Sequence, residues 1–198
     1  MILVKTAKTD KVRNLVLAAI FTALVVVFQC LATYTTFFGP FSTAIGLIPI
    51  VLGAIMCGPA IGAWLGLVFA FIVLVTGGAN LFLAFSIPGT IVTVLAKGML
   101  CGFAAGIVNV LLKKFNSTAS IIVSSLVCPL VNTGVFLLGC YVFFMPYANA
   151  IAEAAGSTAS GFPLFLAFAM GNFAFEVGMS IVLCPVTIRL LDIAKKNR

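Results

Sequence analysis

The sequence contains no histidine, only four acidic residues among 198, and 8% charged residues in all. Without histidine it lacks the usual general base and the usual zinc ligand. Outside the charged flanks the only acids are Glu153 and Glu176, too far apart in sequence to form a paired-carboxylate motif. There is no G-x-S-x-G elbow, and Ala96-Lys97-Gly98 lacks the glycine-rich lead of a phosphate-binding loop. These absences argue against an enzyme, against a metal or cofactor, and against ATP hydrolysis by this chain alone. The six cysteines, Cys30, Cys57, Cys101, Cys128, Cys140 and Cys184, form no CxxC pair and lie in or beside apolar runs. They read as small buried hydrophobes.

What is present is apolar surface. Hydrophobic residues make up 63% of the chain, with mean hydropathy +1.30. A soluble domain carries about a quarter charged residues, and a small one cannot hide this much apolar area in its core. The surplus must face lipid, so one integral membrane domain is expected over residues 1–198. The basic start followed by an apolar run has the outline of a signal peptide. The run continues past Phe28 with no clean cleavage site, which makes it the first membrane helix.

Six helices are expected, over residues 14–32, 43–57, 60–75, 88–113, 118–145 and 163–191. Gly39-Pro40, Gly58-Pro59 and Thr76-Gly77-Gly78 punctuate the first half. Ser117 or Thr118 is the expected cap of the fifth helix, and Pro129 and Pro185 are expected to kink the fifth and sixth. The second and third runs are short for full spans and would tilt or lean on neighbours. The residues between 146 and 162 form the longest polar stretch of the body.

The basic residues cluster. Lys5, Lys8, Lys11 and Arg13 precede the first run, Lys113 and Lys114 lie mid-chain, and Arg189, Lys195, Lys196 and Arg198 close it. An inside N-terminus puts ten of the eleven Lys and Arg residues inside, with Glu153 the only charge in the outer loops. Both termini are therefore expected in the cytoplasm. This is no nucleic-acid pattern, because no soluble basic face exists to hold phosphates.

Two charges fall at membrane depth, Lys97 and Glu176. Such residues are costly there and usually face a cavity or a partner. Asn172 lies one turn from Glu176 on the same face, Asn132 and Thr133 follow Pro129, Gln29 lies near the outer end of the first helix, and Asn80 sits in an outer loop. The candidate site is a polar pocket of Lys97, Asn132, Asn172, Glu176, Asn80 and Gln29. Lys97 would meet an anionic or carbonyl group, and the asparagines would offer paired donors and acceptors. Phe37, Phe38, Phe82, Phe85 and Trp64 are candidate apolar walls, although lipid contact suits most of the nineteen phenylalanines better. The competing reading is a Lys97–Glu176 ion pair that only holds helices together.

Small residues recur at four-residue spacing: Gly58, Gly62 and Gly66, then Gly98, Gly102 and Gly106, then Ala19 and Ala23. In lipid such stripes let helices approach closely. The glycines suit packing within the bundle, while Ala19 and Ala23 equally suit docking of a partner.

The stretch Asn14-Leu-Val-Leu-Ala-Ala-Ile-Phe-Thr-Ala-Leu, with Ala19 and Ala23, resembles the first helix of the substrate-binding S components of energy-coupling factor (ECF) vitamin transporters. Leu47-Ile-Pro-Ile-Val-Leu-Gly-Ala-Ile and Cys57-Gly-Pro-Ala-Ile-Gly-Ala resemble that family's second helix, tight turn and third helix. The resemblance implies a six-helix S-component bundle in the bacterial plasma membrane. It also implies a B-vitamin or related substrate held near the outer face, a transmembrane coupling protein docked on Ala19 and Ala23, and two cytoplasmic ATPase subunits. Within that family the histidine-dependent cobalt and nickel members are excluded, and pantothenate is a first guess that suits Lys97. Two readings of other classes stand beside this one. One is a ligand-free membrane scaffold or assembly protein. The other is a self-sufficient ion-coupled carrier, against which the lack of a clear internal repeat counts.

Overall fold

A computed structural model describes residues 2–33, 46–159 and 161–196 of the chain, with side chains omitted for 2–11, 183, 186, 187 and 190–196. Phe37, Phe38 and the expected start of the second helix at 43 lie outside the described residues.

The described residues fold into helices. In chain order these are α1 (Ile2–Thr33), α2 (Leu47–Cys57), α3 (Pro59–Val75), α4 (Asn80–Leu83), α5 (Ile87–Leu112), α6 (Ser117–Gly139), α7 (Ala148–Ala154) and α8 (Phe162–Lys196). A π-helical turn (Cys140–Phe144) and a 3-10 turn (Met145–Tyr147) join α6 to α7. Four stretches are long and apolar enough to cross a membrane: Val12–Thr33, Ile87–Leu112, Ser117–Ala154 and Phe162–Val182. In none of them is more than 39% of the most apolar window buried inside the protein, so their outward faces are hydrocarbon and need lipid around them. The helices α2 and α3 are shorter, at 11 and 17 residues.

Local chemistry sets the boundaries. Gly58 takes φ 98°, a conformation that favours glycine, and Pro59 opens α3, where its missing N–H costs nothing. Ser86 caps α5 by accepting from the Gly89 amide at 3.3 Å, with Pro88 in the first turn. The cap of α6 is Asn116, one residue before the expected Ser117 or Thr118. Its Oδ1 accepts from the Thr118 and Ala119 amides at 2.9 and 3.1 Å, a geometry that asparagine serves as well as serine. Where sequence alone places loops, before Pro88 and over 146–162, the structure builds α4, the 3-10 turn and α7.

The glycine stripes explain the tightest packing. A Cβ on Gly62 or Gly66 of α3 would strike the carbonyl oxygens of Gly102 and Gly98 of α5, and the reverse also holds. The two backbones touch, as small residues permit between helices in lipid. Gly106 packs likewise on Pro59. Around this seam Phe21, Val25, Ile50, Ala54, Leu65 and Phe69 form the main core.

The two ends of the bundle differ. At one end the Asn109 amide of α5 donates to the Ile55 carbonyl of α2 at 3.2 Å, and Ser120 of α6 donates to Asn109 Oδ1 at 3.2 Å. Exposed Lys113 and Lys114 lie just beyond Asn109, and Arg13 of α1 lies near Cys57. At the other end Thr33 of α1 donates to Thr76 at 3.1 Å, and α4 packs against α7, which carries exposed Glu153. These described basic residues thus share one end, and Glu153 marks the opposite one.

Candidate functional site

Three helices bring polar side chains together beneath the α4–α7 end. Lys97 sits ten residues into α5, about 15 Å of rise from its start. Asn132 follows the interior Pro129 of α6, and Asn172 and Glu176 occupy successive turns of α8. Glu176 is 4% exposed and Asn132 2%. The Asn172 amide donates to Glu176 Oε1 at 2.6 Å. The Asn132 amide reaches Oε1 at 3.2 Å and Oε2 at 3.4 Å. One carboxyl group therefore takes the N–H side of both asparagines. Lys97 is near enough for its charge to act on Glu176. The buried acid is nevertheless held by amides, not by the simple helix-bridging ion pair that sequence alone allows.

Above this triad lies a cavity of about 40 Å³ lined by Lys97, Asn132, Thr133 and Asn172 together with Phe69, Val73, Gly78, Phe136, Phe168 and Ala169. The Lys97 ammonium stands 5.4 Å from the centre of the Phe136 ring, a cation–π contact that keeps the charge over an apolar wall. Among the described residues, Asn132 Oδ1 is buried without a hydrogen-bond partner. A lone acceptor in low dielectric carries a penalty that a donor entering the cavity would relieve.

A second apolar cluster covers the cavity. Phe82 of α4 meets Phe144 edge-on at 4.8 Å and Phe136 at 5.6 Å, and Phe165 of α8 lies 6.3 Å away. Cys140, Ala148, Ile151 and Leu164 complete this cap. Phe136 and Phe168 belong to both layers, packing against the cap and lining the cavity.

The other sequence candidates lie elsewhere. Asn80 is exposed at the start of α4, with its amide beside Gly77. Gln29 is wholly buried near Gly46, on which Phe69 also packs, and it does not line the cavity among the described residues. The Trp64 expectation is corrected. Its ring is 54% exposed on α3, where its N–H reaches Thr22 of α1 at 3.4 Å. Phe82 belongs to the cap, and Phe85 packs against it. Sequence reasoning missed Phe69, Phe136 and Phe168 as walls, because in helices apolar on every face no periodicity tells inside from outside.

The sequence matches the family model of the ECF transporter substrate-specific component over residues 13–190. The chain belongs to this family. It is thus the substrate-specific subunit of an ECF transporter, a multi-pass membrane protein of a transport family and not of an enzyme family. Components of this kind bind small molecules and work with the ECF module in the membrane. No curated protein matches the sequence.

Proposed function

We propose that this S component captures a B-vitamin or related small metabolite in the cavity lined by Lys97, Asn132 and Asn172, with Glu176 behind the two asparagines. It would hand that solute to a transmembrane coupling protein energised by two cytoplasmic ATPases. The observation that carries the reading is this polar cluster of four side chains. A buried acid, two amides and a lysine gathered at membrane depth are costly, and here they border a cavity roofed by a separate aromatic cluster. Packing alone gives no reason for Asn132 Oδ1 to be left without a partner.

The chain would cross the bacterial plasma membrane six times, through α1, α2, α3, α5, α6 and α8, with both termini in the cytoplasm. The clustering of Arg13, Lys113 and Lys114 at one end supports that orientation. The cavity would then load from outside, through the α4–α7 cap. About 40 Å³ holds a few waters, whereas ligand sites run to about 300 Å³ or more. Loading therefore requires the cap to part from the triad. Pantothenate is the first candidate, with its carboxylate suited to Lys97. Gln29 and Asn80 would act, if at all, from outside the cavity wall.

The test is to purify the protein and identify by mass spectrometry what it carries. A stoichiometric small metabolite is expected. A protein that carries nothing, and binds no vitamin in calorimetry, would point to the ligand-free scaffold.

A further inference from the structure

The capture reading leaves open what the solute must look like, and the triad narrows it. An asparagine offers two N–H donors on one side of its amide and a carbonyl oxygen on the other. The Glu176 carboxyl oxygens accept from both amides, so Glu176 sets how each amide turns. The Asn172 and Asn132 nitrogens point to its oxygens at 2.6 and 3.2 Å. What is left over is the carbonyl side of each amide. For Asn132 this is an oxygen in a 2% exposed residue on the cavity wall, with no partner among the described residues.

Resting on the capture reading, we propose that the triad is an acceptor platform. Glu176 holds both amide nitrogens, which leaves the Asn132 carbonyl for the captured solute to answer with an O–H or N–H donor. Its anionic or carbonyl end lies at Lys97. Glu176 is a positioning residue in this arrangement and acts on the solute through the asparagines. Solutes of this class include hydroxy acids with an amide, such as pantothenate, and ureido acids, such as biotin. Anions without such a donor, such as nicotinate and lipoate, satisfy Lys97 but leave the Asn132 carbonyl facing carbon. A site built around hydrogen bonds rejects a solute that cannot make them far more strongly than an apolar pocket rejects a poor fit.

The wild-type protein gives the first test. The solute identified by mass spectrometry is expected to carry an O–H or N–H donor for the Asn132 carbonyl, and nicotinate and lipoate are expected to bind at least about 100-fold more weakly than it does. A co-purified solute with no such donor, or tight binding of nicotinate or lipoate, leaves capture standing and overturns the acceptor platform. A protein that binds nothing removes capture and the platform together. The second test is Glu176→Gln, measured by calorimetry with the co-purified solute. The glutamine replaces one accepting oxygen with an NH2 of two donors, so Asn132, which reaches both carboxyl oxygens, meets a donor on one of them and is drawn to turn its carbonyl away from the cavity. Affinity is expected to fall about 10- to 100-fold, while the Lys97-facing end is still recognised. Unchanged affinity with a lowered melting temperature would make Glu176 merely structural.

Discussion

At the residue scale, the polar groups of the cavity divide by what they touch. Lys97 is partly buried, stacked on Phe136 and within electrostatic reach of Glu176. Lys97→Ala is expected to weaken solute binding more than tenfold, or about 1.4 kcal/mol, and calorimetry on the purified protein measures it. Unchanged affinity would return Lys97 to a structural role. Asn80 supplies the comparison, being exposed with its amide beside Gly77. Asn80→Ala is expected to leave affinity within about twofold, since surface changes away from special features rarely exceed 0.5 kcal/mol or so. Lys97, Asn132, Asn172 and Glu176 were legible in the sequence because polar groups stand out in apolar runs. The division of labour among them was not. Nothing in the spacing of Asn132 and Glu176 says that the amide nitrogens turn to the acid and the carbonyl of Asn132 is left over. That depends on α6 and α8 lying side by side.

At the scale of elements, the small-residue stripes split into two kinds by exposure. The α3–α5 seam is closed backbone to backbone. A Cβ on Gly98 would meet the Gly66 carbonyl and lie 2.9 Å from Ala70 Cβ. Gly98→Leu cannot be absorbed by a side-chain shift and must pry the helices apart. A loss of about 3 kcal/mol or more is expected, read as a fall in melting temperature or in folded yield by size-exclusion chromatography. Ala19 and Ala23 are exposed on α1, among exposed Leu15, Val16, Ile20, Leu24 and Val27. Both face away from the described core, so Ala19→Leu and Ala23→Leu are expected to leave solute affinity intact. If this face docks the coupling protein, the same variants lose co-purification of the ATPase subunits, and retention of those subunits would move the docking site elsewhere. The long runs were legible because a bilayer demands uninterrupted apolar segments. The cap of α4 and α7 was not, since helices of 4 and 7 residues amid glycine and proline carry no readable period.

At the scale of the whole molecule, charge and cavity are placed asymmetrically along the described bundle, and in the proposed orientation that asymmetry would set the direction of transport. The exposed Lys113 and Lys114 follow Asn109, which pins α5 to the carbonyl of Ile55 at the Gly58–Pro59 end. The exposed Glu153 belongs to α7 in the opposite cap. Moving lysines across a bilayer is opposed during insertion, and acids count for little, so the lysine end should stay in the cytoplasm and the capped cavity should face outward. Single-cysteine labelling tests this once the six native cysteines are replaced. In intact cells a membrane-impermeant maleimide is expected to modify Glu153→Cys and to spare Lys113→Cys until the membrane is opened. Equal labelling of both from outside would place α7 and the α5–α6 turn on the same side, which a crossing by α6 forbids. Labelling of Lys113→Cys alone would invert the protein and have the cavity load from the cytoplasm, the wrong side for an importer.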